Sequence, residues 1–196
     1  MRKILKVVGL LILYFAIVLA SMFLGYLSPV AWVYFPVVAA FLAASPVLII
    51  CKSWKRPGGI AIFTAFWMAI MGALGELDKL EVVVSYIIFL LAAEAIRYFI
   101  GYKKQLGSRI GYAVNCLGLA GSLLPLWTRT EYYYEGATEE LSLDYANGLM
   151  RFNNPIGMAS LIILTLASAY LGCIVSEKLL RISALEKDET VKTKTA

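Results

Sequence analysis

Glu94 and Arg97 stand three residues apart inside a long apolar stretch, Val82–Ile100. That spacing puts them on one helical face. An acid at membrane depth is a functional candidate until a partner is named for it. Three roles are open to the pair: an ion pair with Arg97 snorkelling to the inner surface, a contact to a cytoplasmic-side partner, or a proton relay. The spacing favours the first. Little other reactive chemistry is on offer. The 196-residue chain has no histidine, which removes Ser-His-Asp hydrolysis and histidine-bound metals. Its three cysteines, Cys51, Cys116 and Cys173, lie far apart in or beside apolar runs. They read as small hydrophobes, not as a disulfide or zinc framework. Metal-dependent intramembrane hydrolysis needs His or Asp ligands at close helical spacing, and no apolar run contains Asp. No Gly-rich phosphate loop ending in Lys-Ser/Thr is present. The chain is expected to be no enzyme, with no cofactor and no metal.

Binding chemistry is better represented. Trp67 falls near the middle of an apolar run, too deep for an interfacial belt. Trp67, Tyr86, Trp127, Arg129 and Tyr132 are expected to face a common outward cavity, with Tyr34 and Asn154 closing its rim. Stacking and cation–π contact suit a flat or partly apolar ring compound, and Arg129 could meet a carboxylate or phosphate. A plain aromatic belt is the alternative. Small residues also recur four apart, in Ala16-x-x-x-Ala20, Ser21-x-x-x-Gly25 and Ser168-x-x-x-Gly172. Such strips let another helix approach closely, from within the chain or from a partner.

These residues need apolar helices to position them. Hydrophobic residues make up 61% of the chain and charged residues 16%, well outside the range of soluble domains. Six runs approach the length of a membrane span: Ile4–Tyr26, Phe35–Cys51, Ile60–Leu74, Val82–Ile100, Ile110–Trp127 and Pro155–Leu180. The predicted fold is all-α, a polytopic membrane protein of six transmembrane helices over residues 1–182, with a polar tail over 183–196. With the N-terminus inside, all of the 18 basic residues except Lys79, Arg129 and Arg151 fall on the inner side. Most acids fall outside, including Glu76, Asp78, Glu81, Glu131 and Glu135. By the positive-inside rule both termini are cytoplasmic. The net charge of +5 is thus a topology signal, and no nucleic-acid partner is expected. The long outer segment Thr128–Asn154 carries enough apolar material to fold back on the bundle as a lid.

One stretch resembles a known family. Gly111-Tyr112-Ala113-Val114, Leu117-Gly118, Leu124-Pro125-Leu126-Trp127 and Arg129-x-Glu131-Tyr132 are similar to the fifth-helix signature of the Trep_Strep membrane proteins. Pro36 opening helix two, the Lys55-Arg56 turn, and Gly172 followed by Lys178-Leu179-Leu180 fit the same pattern. Asn115 departs from it, standing where an apolar or aromatic residue is more usual, and so does the tail from Arg181. The resemblance implies a substrate-binding S component of an energy-coupling-factor (ECF) importer in a bacterial plasma membrane. Such a subunit binds a scarce small nutrient, vitamin-like or otherwise. It docks on a membrane scaffold (T) subunit, driven by two cytoplasmic ATPase subunits, and Ala16 and Ala20 would form the docking strip. A non-transport membrane scaffold or assembly protein is the alternative.

The charge asymmetry is directly testable. Single cysteines placed within Thr128–Asn154 are expected to react with an impermeant thiol reagent added outside cells. Cysteines at Lys55 or Lys104 are expected to stay unlabelled, and outside labelling at Lys104 overturns the orientation.

Overall fold

The computed structural model describes residues 2–75 and 79–180. Glu76, Asp78 and the 183–196 tail lie outside the described residues. Every regular element among those described is helical. In chain order these are α1 (Arg2–Gly25), α2 (Pro29–Leu42), α3 (Ala44–Trp54), α4 (Ala61–Ala73), α5 (Leu80–Ile100), α6 (Gln105–Ala120), α7 (Pro125–Thr128), α8 (Thr130–Glu140), α9 (Leu143–Met150) and α10 (Pro155–Leu179). A short 3-10 turn, Gly121–Leu123, joins α6 to α7.

α1, α5 and α10 are each long and apolar enough to cross a membrane, and α2 with α3 makes a fourth crossing if the bent pair is one span. Of the six expected spans, three or four therefore qualify by length and composition. α4 has 13 residues and α6 has 16. At 1.5 Å per residue α4 covers only about 20 Å.

Prolines set the breaks. The α2–α3 pair bends by 40° between Leu42 and Ala44. Pro46 lacks the N–H that would bond the Leu42 carbonyl four residues back, and its ring crowds that carbonyl. Pro125 likewise cannot bond Gly121. Leu124 N–H reaches the Gly121 carbonyl instead at 3.1 Å, which gives the 3-10 turn. Helix two does not open at Pro36, as the resemblance implies. It begins at Pro29, where the Ser28 side chain accepts from Ala31 N–H, and Pro36 lies inside it. Ser28-Pro29 and Asn154-Pro155 are matching starts, each a polar cap followed by proline at the first helical position.

The contacts give the helix directions. Gly111 of α6 meets Arg97 of α5, and Gly118 meets Tyr86, so α5 and α6 run antiparallel. Ser168 of α10 donates to the Val37 carbonyl of α2 at 2.7 Å, and Gly172 packs on Phe41, so α10 runs parallel to α2. α8 and α9 fold across one end of the bundle, termed here the cap end. The opposite, basic end carries Lys52, Lys103, Lys104 and Arg109. Outward faces are apolar, with Ile12, Leu13, Ile87, Leu91, Ile163 and Leu171 all exposed. Apolar exposure on that scale marks a lipid-facing surface rather than one made for water.

Gly172 marks a tight helix crossing. A Cβ there would lie 2.4 Å from the Phe41 carbonyl oxygen, which is backbone and cannot swing aside. Gly172→Leu is expected to force α10 off α2, at about 1–3 kcal/mol or more. A thermal melt in detergent should show a clearly lowered midpoint, whereas the lipid-facing Leu171→Ala should melt close to wild type.

Candidate functional site

At the cap end the bundle forms a partly open cavity of about 360 Å³, toward the small end of the range of small-molecule sites. Its walls come from α1 (Met22), α2 (Trp32 and Phe35), α4 (Trp67 and Met71), α5 (Val82 and Tyr86) and the α8 lid (Tyr132, Tyr133, Gly136 and Glu140). Lys79, just before α5, completes the lining with its ammonium 5.5 Å from the Tyr132 ring centroid.

The floor is one hydrogen bond. Trp67 Nε1–H donates to Tyr86 Oη at 2.9 Å, and both residues are buried. Below them lies a void of about 10 Å³, lined by Thr64, Asn115, Tyr112, Cys116 and Tyr14. Trp67 and Tyr86 line both spaces, so their pair is the partition between them. Thr64 Oγ1 donates to Asn115 Oδ1 at 3.0 Å beneath it. The roof repeats the device, because Trp32 Nε1–H donates to Tyr133 Oη at 2.6 Å. An indole N–H in apolar surroundings needs an acceptor, and a tyrosine oxygen serves both times. Burial pushes the Tyr133 phenol up to about 12, so it keeps its proton at neutral pH.

The lid is anchored on one side. Tyr145 of α9 donates to the Gly25 carbonyl at 2.5 Å and lies 3.2 Å from that of Ser28. Leu149 packs with Val33 and Leu126 in a second small core. Asn153 Nδ2 donates to Thr130 Oγ1 at 3.0 Å, tying the end of the lid to its start.

The structure gathers three of the seven expected site residues, Trp67, Tyr86 and Tyr132, around this cavity. The other four are engaged elsewhere, which corrects the expected common lining. Arg129 forms an ion pair with Glu81 at 2.9 Å and is half exposed. Trp127 turns away to donate to the Phe152 carbonyl at 3.1 Å, packing with the second core. Tyr34 shares a 2.7 Å hydrogen bond with Ser160 of α10. Asn154 caps α10, accepting from Gly157 N–H at 2.9 Å. In each case a local backbone or helix-pairing demand takes the side chain. Sequence reasoning missed Trp32 and Tyr133 as a pair. The signal was helical spacing in the lid, where Tyr133, Gly136, Ala137, Glu140 and Leu141 recur three or four apart.

The small-residue strips divide. Ser21 donates to the Ile17 carbonyl and Gly25 packs on Trp32, while Ser168 and Gly172 serve the α2–α10 crossing. Ala16 and Ala20 face outward from α1 and are exposed. At the basic end Arg97 and Glu94 do pair, at 3.1 Å, and Glu94 also accepts from Ile60 N–H at 3.3 Å. Arg97 does not snorkel. It is 0% exposed, covered by α6 at Gly111, with Tyr102 stacked 5.1 Å away. Glu177 of α10 pairs with Arg109 of α6 and lies 3.8 Å from Lys52 of α3, joining three helices. Among the described residues no group of His, Cys, Asp or Glu could hold a metal.

An apolar helical bundle with an aromatic cavity under a helical lid defines an integral membrane protein with a candidate small-molecule site. The chain belongs to the family described as hypothetical bacterial integral membrane protein (Trep_Strep), whose model matches residues 1–182. No curated protein and no solved structure matches it.

Tyr145→Phe removes the hydroxyl that holds the lid to the α1–α2 turn. Amide exchange within α8 and α9 is expected to quicken by about two- to tenfold, from one lost hydrogen bond. Arg129→Ala, which breaks a half-exposed pair, is expected to change lid exchange by less than about twofold. Equal effects from the two variants would show that the lid is held at its other edge.

Proposed function

We propose that this protein is the substrate-binding S component of an ECF-type importer, and that the cap-end cavity is its ligand site. The observation that carries this reading is the cavity itself. It is aromatic-walled and of small-molecule size, and it lies partly open under a lid at the end to which the charge pattern assigns the outside. In this reading the chain crosses the membrane six times with both termini cytoplasmic. α2–α3, α4 and the α6–α7 stack supply the crossings that do not qualify as single long helices. Antiparallel α5 and α6, and α10 parallel to α2, are in keeping with it. The protein performs no catalysis of its own, and ATP hydrolysis falls to two cytoplasmic partners acting through a membrane scaffold.

The exposed pair Ala16 and Ala20 is the docking strip for that scaffold. It presents little side-chain bulk to a partner helix, whereas the two other small-residue motifs are consumed inside the fold. The basic end is tightly cross-linked by Lys52, Glu177 and Arg109, which suits a body that moves as a unit.

The test is affinity purification of the tagged chain from its own cells. A membrane scaffold and ATPases are expected to coelute, and native mass spectrometry is expected to find a small organic molecule on the isolated chain. Ala16→Leu and Ala20→Leu should lose the scaffold and keep the bound molecule. Coelution of other membrane proteins, with no ATPase and no small molecule, would point to a scaffold or assembly role instead.

A further inference from the structure

The two Trp–Tyr pairs say what kind of molecule fits the cavity. Each tyrosine oxygen accepts from an indole N–H, so the hydrogen each hydroxyl still has to give is its own. Among the described residues no acceptor takes either one: Tyr86 and Tyr133 each make only the indole hydrogen bond there. The Ser122 hydroxyl, also on the wall, is spent on the Leu119 carbonyl. The site therefore keeps two free neutral donors on different walls, Tyr86 of α5 on the floor and Tyr133 of the α8 lid in the roof. Between them lie aromatic and aliphatic faces, including Phe35, Met22 and Met71. Among the described residues the ionic side chains on the lining are Lys79 and Glu140, of opposite sign.

We infer that the cavity takes a flat, uncharged heteroaromatic of about two fused rings, with hydrogen-bond acceptors on opposite edges that meet Tyr86 and Tyr133. This rests on the cavity being the ligand site proposed above. Donors left unpaired by a purely hydrocarbon ring are penalised. A buried cation would meet two hydroxyl hydrogens, and a buried anion would lack a matching cation at the floor. Because one acceptor bonds the lid, occupancy also closes it.

Three probes of nearly the same shape separate the possibilities: 1,5-naphthyridine, with a nitrogen acceptor on each opposite edge; naphthalene, with none; and N-methylquinolinium, a cation. Binding is measured by equilibrium dialysis of the full chain in lipid nanodiscs, against empty nanodiscs. 1,5-Naphthyridine is expected to bind at least about tenfold more tightly than naphthalene. Tyr86→Phe and Tyr133→Phe should each narrow that gap by about five- to tenfold, with naphthalene affinity unchanged. Should a single variant fail to fold, the double variant Trp67→Phe with Tyr86→Phe removes both partners of the bond and serves in its place. Equal affinity for naphthalene, or tightest binding of N-methylquinolinium, overturns the ligand class while leaving the cavity as a ligand site. If no probe binds, or if Gly136→Trp in the cavity wall leaves probe binding intact, the cavity reading falls with it.

Discussion

One face of α4 carries the contacts on which the upper half of the molecule depends. Ile60 N–H reaches Glu94, Thr64 reaches Asn115, and Trp67 reaches Tyr86. Spacings of four and three residues place these ties in a column along one side of the helix. α4 is the shortest of the apolar crossing candidates, too short to be held by an extensive apolar seam. In an apolar bundle each tie is costly to leave unmade, so the column sets both the depth and the rotation of α4 against α5 and α6. Its top member is the cavity floor. Its bottom member draws Glu94 to the start of the helix, where the unpaired N–H groups favour negative charge, and leaves Arg97 to neutralise it.

The two ends of the bundle solve opposite problems with the same economy of polar groups. At the basic end, Glu177 collects Arg109 and Lys52 from two other helices. Charges of opposite sign meet in the restricted space among α3, α6 and α10, and this end has little freedom to open. At the cap end the polar work is done by neutral pairs, Trp67 with Tyr86 and Trp32 with Tyr133. Neutral pairs satisfy the indoles without filling the space between them, so a cavity survives there. The lid that covers it is amphipathic: α8 turns Tyr133 and Ala137 inward and leaves Glu131, Glu135 and Glu139 exposed.

Helix one combines two surfaces that composition alone makes look alike. The face with Tyr14, Val18, Ser21 and Gly25 is buried against the bundle, and the face with Ala16 and Ala20 is open. Both carry small residues. The difference follows from what lies opposite. Trp32 occupies the space over Gly25, whereas no helix among the described residues covers Ala16 and Ala20.

Hydropathy and charge by themselves determined that this chain is an all-helical membrane protein, where its apolar segments lie, and which loops are basic. These properties depend on transfer free energies summed over many residues, and no single contact can reverse them. The residues of the Gly111–Tyr132 stretch sufficed for the resemblance to the family. Glu94 and Arg97 were legible as a pair because three residues on a helix is a fixed geometry. Trp67 was legible as a residue of the candidate site because its depth follows from counting along the run. What only the tertiary structure decided is which of many aromatics share one cavity. Trp127, Arg129, Tyr34 and Asn154 carry the right chemistry at about the right height, yet a carbonyl, a carboxylate, a serine and a helix start claimed them first. Trp32 and Tyr133 lie 101 positions apart, and they meet because the lid folds back over α2. Arg97 stays buried for a similar reason: Gly111 lets α6 close over it. Side-chain height in a membrane is set locally, but side-chain partnership is set by which helices touch.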